Sequence, residues 1–219
     1  MSYVESLKLK SRGVNFEPKI QILDDFDEPM GSLVPVGTWT LEDKSILGEI
    51  VSWRNRFNKM FPTRTTVDIE STINFLDQTY IINPNAILFL IYTKDQELIG
   101  HIGLSNLDRD AFELTNLIRG ASGGGDQIIY HTEMTLITLG FQITEKSECF
   151  VELMSYNWIV RDLHERVGFK KVKSYPLKKL ENKRGIIHKK VNKEDSNVPY
   201  CIEVLSLSKP VYINEPKKG

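Results

Sequence analysis

Residues Asn116-Leu117-Ile118-Arg119-Gly120-Ala121-Ser122-Gly123-Gly124-Gly125 read as an apolar strand running into a loop with four glycines. From Asp126-Gln127-Ile128 the loop opens a helix. Glycine admits positive φ and lets the backbone approach a ligand closely. The first turn of a helix offers unpaired N–H groups and the positive end of its dipole. Together these make an anion site, and a phosphate is the usual occupant. Without a ligand, the same run is a flexible surface connection. No Gly-Lys-Ser/Thr closes it, so it is not a P-loop. Its strand comes from a meander rather than from the start of a βαβ unit, so it is not a dinucleotide fingerprint.

A second constellation is Asn157-Trp158-Ile159-Val160-Arg161-Asp162-Leu163-His164-Glu165-Arg166-Val167-Gly168-Phe169. Asn opens a helix directly after a strand, and Gly-Phe closes it. Taken alone, this is an ordinary pair of helix caps.

The elements that must position these residues follow from hydrophobic periodicity. Ile20–Leu23 is a short strand within an otherwise irregular start, and residues 33–40 form a strand. Thr40 with Asp43 caps a helix to about Phe57, with Ile46, Leu47, Ile50 and Trp53 on one face. Thr65 with Asp68 caps another from Thr66 to Tyr80. Residues 86–92 are continuously apolar, as suits a strand buried on both faces. Strands at Leu98–Leu104 and Phe112–Ile118 complete a meander. The glycine loop and a helix from Gln127 to Gly140 follow, then a strand at Phe150–Met154 and a helix from Asn157 to Val167. Strands at Phe169–Tyr175 and Tyr200–Leu207 end the chain. This order predicts one α/β domain, a mixed sheet with helices on both faces. The expected division is an N-terminal extension at 1–32, a domain at 33–207 with an exposed polar excursion at about 180–198, and a frayed tail at 208–219.

The chain has 219 residues, 41% of them hydrophobic, enough for a sizeable core. A net charge of −1 gives no general attraction to nucleic acid or anionic membranes. The two cysteines, Cys149 and Cys201, read as buried free thiols. No apolar run reaches the ~20 residues of a membrane span, and the first ten residues lack the apolar core of a signal peptide. A cytoplasmic protein is expected.

Loop and capped helix together resemble the Gcn5-related N-acetyltransferase superfamily over about residues 33–175. The matching features are the Arg-Gly-rich loop, its helix, a strand, and Asn followed by His-Glu-Arg-Val-Gly-Phe. The resemblance implies a central, mostly antiparallel but mixed and splayed sheet with helices on both faces. It also implies an acyl-coenzyme A co-substrate and no metal. The pyrophosphate would lie on Gly120, Gly123, Gly124 and Gly125, at the start of the helix opened by Asp126. The pantetheine arm would run along Leu117, Ile118 and Arg119, with Asn157 on the other side. A backbone N–H near Leu117 would polarise the thioester carbonyl.

Ser52-Trp53-Arg54-Asn55, Ile99-Gly100-His101-Ile102-Gly103-Leu104 and residues 112–120 resemble a subgroup. Its members are bacterial N-acyltransferases of nucleotide-linked amino sugars used in surface polysaccharides such as O-antigen. The acyl group is acetyl or 3-hydroxybutanoyl, and the carrier is dTDP or UDP. Acceptor contacts are then expected from Trp53, Arg54, Asn55, Phe57 and Phe61. Trp53 also reads as a core anchor, and the Lys183–Lys193 segment either faces a nucleotide or is solvated.

Amine acylation needs a neutral amine and a proton for the departing thiolate. The superfamily often uses a Tyr for that proton, and this chain has His164 in its place, which either supplies the proton as an imidazolium or merely lines the coenzyme site or packs on its helix. Glu113 and His101, on adjacent strands, are the candidate bases. Each also has a structural reading: a partner of backbone or of Arg54 for Glu113, and a satisfied buried histidine for His101. Other acceptors stay open, namely a protein N-terminus, a polyamine or an antibiotic, as does a non-catalytic acyl-coenzyme A sensor. The strand from Tyr200 could extend the sheet across a homodimer.

Overall fold

The computed structural model describes residues 3–10 and 19–209. Ten strands form one sheet: β1 (Ile20–Leu23), β2 (Pro29–Pro35), β3 (Thr63–Thr65), β4 (Ile87–Thr93), β5 (Leu98–Ser105), β6 (Ala111–Arg119), β7 (Glu148–Met154), β8 (Lys170–Asn182), β9 (Gly185–Lys190) and β10 (Cys201–Ser208). Their spatial order is β1-β2-β4-β5-β6-β7-β10-β8-β9-β3. Every pairing is antiparallel except β6 with β7. The helices are α1 (Tyr3–Lys10), α2 (Thr38–Glu42), α3 (Lys44–Arg56), α4 (Ile69–Leu76), α5 (Ile128–Thr144) and α6 (Trp158–Val167).

The apolar strand β4 sorts its side chains by parity. Ile87, Phe89 and Ile91 join the core beneath α5, while Leu88, Leu90 and Tyr92 join the one beneath α3 and α4. Successive strand side chains point to opposite faces, so a strand covered on both sides has no polar face. No helix among the described residues is long and apolar enough to cross a membrane. Both cysteines are free, Cys149 buried as expected and Cys201 only half-buried.

Several local expectations are corrected. The first helix region is two pieces, and α3 is capped by Asp43 rather than Thr40. The Asp43 carboxylate accepts from Ser45 N at 3.0 Å and Ile46 N at 3.1 Å. Asp68 caps α4 with Ser71 as reciprocal partner, while Thr65 belongs to β3. The segment ahead of residue 33 is not wholly irregular. It supplies β1, half of β2, and α1, whose Val4 and Leu7 enter the main core. The polar excursion is largely a β8–β9 hairpin whose outer strand pairs with β3. Strand β10 lies between β7 and β8, so it has no free edge to offer another subunit. The tail beyond 209 lies outside the described residues.

Candidate active site

Strands β6 and β7 pair at only three positions, Ala111 with Glu148, Phe112 with Cys149 and Glu113 with Phe150. Beyond Glu113 the two strands separate and open a cavity of about 450 Å³. Leu114–Arg119 form one wall, and Val151–Met154 with Asn157 and His164 form the other. Phe57, Met60, Phe61 and Pro62 lie across one side. A parallel strand pair interrupted in this way exposes strand backbone to a ligand without leaving a long outer edge.

A bulge shapes the β6 wall. His101 pairs with Ile118 and Gly103 with Thr115, so Asn116 and Leu117 together face Ile102. Asn116 takes the extra turn with φ of 50°, a left-handed conformation that Asn tolerates better than most residues. Its carbonyl accepts from His101 Nδ1 at 2.7 Å, and its side-chain amide donates to the Tyr80 hydroxyl.

His101 is buried beside Trp53, and burial pulls its pKa down to about 4. It is therefore neutral, with its Nδ1 proton committed to the carbonyl. It does not line the cavity. The expectation that His101 and Glu113 share one cleft is corrected: both lie on one face of the sheet, but His101 is buried beside Trp53, away from the cavity that Glu113 lines.

Glu113 does line the cavity, at the point where the strands part. Its Oε2 accepts from Ser105 Oγ at 2.9 Å and Asn106 Nδ2 at 3.1 Å. Burial raises its pKa, opposed by the Ser105 bond. Glu152 adds to the rise and Lys190 opposes it. Lys190 itself clasps Glu152, at 2.6 and 2.7 Å.

The glycine loop divides into two parts. Gly120 donates its N–H to the Ile99 carbonyl at 2.7 Å, and its own carbonyl accepts from Arg56. A Cβ there would stand 2.0 Å from the Trp53 ring. Gly120 is thus fixed in the sheet, and its expected N–H contact with a pyrophosphate is corrected. Gly123, Gly124 and Gly125 all have positive φ, at 127°, 67° and 78°. Arg119 Nη2 donates to the carbonyls of Gly123 at 3.1 Å and Gly125 at 3.2 Å. The guanidinium thus holds two of the loop's carbonyls. Asp126 is exposed at the entry to that helix.

Asn157 stands at the N-cap of α6 and lines the cavity, and its side chain makes no capping bond. His164 lines the same wall, with Nδ1 2.7 Å from Glu133 Oε1 on α5. Glu133 was missed in the sequence. Its only signal there is a single acid within the apolar run of α5. Glu152 was missed as well, since nothing local ties it to the cleft, and Lys190, expected either to face a nucleotide or to be solvated, instead pairs with it.

The expected acceptor residues separate. Phe57 and Phe61 line the cavity. Trp53 is core, beneath Gly120. Arg54 donates to the Thr63 carbonyl and lies over the Phe61 ring, 4.0 Å from its centroid. Asn55 bonds both backbone groups of Val67 at 2.9 Å. Trp53, Arg54 and Asn55 thus brace the loop that carries Phe61, and none of the three lines the cavity.

A meander, a splayed parallel pair with a bulged strand, and a glycine loop leading into a helix decide the architecture. The fold is that of the GNAT acetyltransferases. A probable GNAT-family acetyltransferase from Chromobacterium violaceum superposes with a TM-score of 0.65 at 14% identity, over 93% of this chain and 92% of that one. A spermidine N-acetyltransferase from Vibrio cholerae, solved with CoA and spermine, gives 0.63 at 13% identity, over 84% and 99%. The microcin C7 self-immunity acetyltransferase, solved with acetyl-CoA and AMP, gives 0.59 at 16% identity, over 83% and 93%. No protein-family model and no curated protein matches the sequence. At these identities the likeness to GNAT proteins is one of fold.

Proposed function

We propose that the chain is an acyl-coenzyme A-dependent N-acyltransferase whose acceptor is the amino group of a nucleotide-linked deoxy-amino sugar. The observation that carries this reading is the splay between β6 and β7, with Glu113 on one wall and His164 on the other. The loop N–H groups of Gly123–Gly125 and the start of α5 suit the coenzyme's diphosphate. The backbone of Leu117 and Ile118, with Asn157 opposite, suits its pantetheine arm. When bound, acyl-coenzyme A supplies an activated acyl carbon.

In this reading the N–H of Leu117, displaced from the ladder by the bulge, polarises the thioester carbonyl. Glu113 binds the acceptor amine and takes its proton, a task that a raised carboxylate pKa serves. Attack is direct, with both substrates bound. Cys149 is buried and its thiol is held well above its usual pKa, first by burial and then by Glu133, so no acyl-cysteine forms.

The cavity itself is lined by Glu113, Glu152 and Arg119, and the charge of the hairpin beyond it favours an anionic molecule. Residues 170–190 hold nine Lys and Arg against one acid, Glu181. Their outer strand packs on β3, next to the Phe61-Pro62 wall, where His188 N donates to the Pro62 carbonyl at 2.9 Å. Such a field attracts a nucleoside diphosphate and repels a polycation. Phe57 and Phe61 offer faces to a base or sugar. A polyamine is the second reading. It draws on the Glu113–Glu152 pair and on the spermine-bound fold neighbour.

A thermal-shift titration tests both readings, with acetyl- and 3-hydroxybutanoyl-coenzyme A, dTDP- and UDP-amino sugars and spermidine, followed by thiol release. A ligand at a hundredfold excess over its Kd adds about 2.7 kcal/mol to apparent stability. Stabilisation by one coenzyme ester and one nucleotide sugar, with turnover, is the expected result. Turnover of spermidine alone replaces the sugar reading. No response to any coenzyme ester ends the acyltransferase reading.

A further inference from the structure

The least expected feature of the cavity wall is an ion-pair geometry sealed behind it. His164 on α6 and Glu133 on α5 are 4% and 0% exposed. Nδ1 of His164 lies 2.7 Å from Glu133 Oε1. The other carboxylate oxygen, Oε2, is buried with no hydrogen-bond partner among the described residues. A buried carboxylate with half its acceptor capacity unused is costly to hold. As glue between two helices it is inferior to a pair of apolar residues. Because Nδ1 is committed to Glu133, Nε2 is the ring nitrogen left to serve the cavity that His164 lines.

The surroundings hold the ring in one pose. It packs against Phe169 at a tilt of 60°, with centroids 5.5 Å apart. Phe169 N donates to the His164 carbonyl at 3.0 Å, and Gly168, with φ of 112°, closes the helix there. Neither the ring nor the carboxylate needs to reorganise when charge develops.

We infer that Glu133 is a positioning residue that holds His164 with Nε2 toward the cleft and supports its imidazolium, making His164 the acid for the departing thiolate. This inference rests on the acyltransferase reading. The acceptor nitrogen gives its lone pair to the acyl carbon and forms the C–N bond. The C–S bond breaks, and its electron pair goes to sulfur. His164 Nε2–H passes its proton to that sulfur and the imidazole becomes neutral. The surplus proton on nitrogen goes to Glu113 and on to solvent, and His164 regains a proton from solvent.

Other titratable groups face the pair. Cys149 on β7 is pushed up by burial and then by Glu133. Tyr130 on α5 is pushed up by burial and Asp25, lowered by Arg166 and raised again by Glu133. Glu113 and Glu152 line the same cavity. Glu133 is the one in contact with the ring.

The test compares the full chain with Glu133→Gln and Glu133→Asp, using ring-¹⁵N histidine NMR for His164 and ultraviolet thiolate absorbance for bound CoA. The chain has four histidines, and His164→Gln assigns the signal. The expected result is an Nδ1–H tautomer whose titration falls by at least tenfold in proton affinity in Glu133→Gln and is partly restored in Glu133→Asp. Bound CoA is expected to ionise at lower pH than free CoA, and Glu133→Gln to reverse that. CoA affinity stays within threefold. An unmoved His164 titration, or an unmoved thiol titration with normal CoA binding, overturns the acid role alone. Failure of the wild-type chain to bind CoA overturns the acyltransferase reading, and the acid role with it. If Glu133→Gln does not fold, His164→Gln reads the same link from the other side, and a bound thiol that still ionises as in wild type overturns the proposal.

Discussion

His101 donates its Nδ1 proton to the Asn116 carbonyl at 2.7 Å, and with the hydrogen bond from the Asn116 amide to Tyr80 this bond holds the bulge in the cleft wall. Burial lowers the folded-state pKa of His101 from 6.5 to about 4. The unfolded chain therefore binds more protons between those values. The stability that neutral His101 contributes is complete above pH 6.5 and is lost as pH falls toward 4, a change of ~3 kcal/mol in all. His101→Asn keeps a donor near the Nδ1 position but cannot titrate. It is expected to flatten that part of the stability–pH curve and retain turnover. His101→Leu leaves the carbonyl unpartnered, at about 1–3 kcal/mol, and is expected to lower kcat more than it raises KM. Chemical denaturation from pH 4 to 8, with thiol-release assays at pH 8, checks both.

Glu113→Gln separates stability from activity. Burial raises the Glu113 pKa, so its contribution to stability is present below the ordinary glutamate range and is lost as pH rises through the shifted value. The glutamine variant avoids that loss and is expected to melt at or above the wild-type temperature at pH 8. A general base typically contributes 10²–10⁴-fold, so kcat is expected to fall by about that factor. The acid limb of the wild-type rate profile is expected to lie above the usual glutamate pKa. A variant that keeps full activity removes Glu113 from the chemistry.

The glycine loop allows a cleaner test at Gly125 than at Gly124. A Cβ on Gly124 would stand 2.4 Å from Ile128 Cδ1, while one on Gly125 meets open space. At φ of 78° any side chain at Gly125 strains the backbone, Asp and Asn less than most, so Gly125→Asp is compared with Gly125→Asn, which carries the same strain without the charge. Coenzyme A affinity is expected to drop at least tenfold, about 1.4 kcal/mol, in Gly125→Asp relative to Gly125→Asn, with the two variants sharing one lowered thermal midpoint. Isothermal titration against CoA and dephospho-CoA checks it. Equal affinity in the two variants takes the diphosphate away from this loop.

The sheet, the glycine loop and the closing Gly168-Phe169 are legible in the sequence because each is specified locally. Parity along residues 86–92, positive-φ glycines and a left-handed helix end all act over a few residues. The pairing of Thr63–Thr65 with β9 is not legible, because three residues carry no periodicity and their partner is far along the chain. Asn116 reads as one more strand residue until its register is known. Glu133 lies 31 residues from His164, and only the packing of α5 on α6 joins them. Arg54 and Asn55 suggest ligand contacts by type, yet the carbonyl of Thr63 and the backbone of Val67 take up their hydrogen bonds first. Burial and long-range partners decide which polar residues remain for chemistry.

Lys190 links the basic hairpin to the carboxylates of the cleft. Its ammonium clasps Glu152 and lowers the Glu113 pKa, against the effects of burial and Glu152. In Lys190→Gln the Glu152 charge is unopposed, so the Glu113 pKa is expected to rise further. The acid limb of kcat/KM then moves to higher pH, and activity at pH 6 falls about two- to tenfold while activity at pH 8.5 holds. The same substitution removes a cation beside the acceptor wall. An anionic acceptor is expected to show a higher KM whose dependence on salt is weaker than in wild type, because the lost attraction is the screened one. A polycationic acceptor responds in the opposite sense, with a lower KM. Steady-state kinetics at 50 and 300 mM salt with a dTDP-amino sugar and with spermidine distinguish the two, since one substitution cannot improve binding of both.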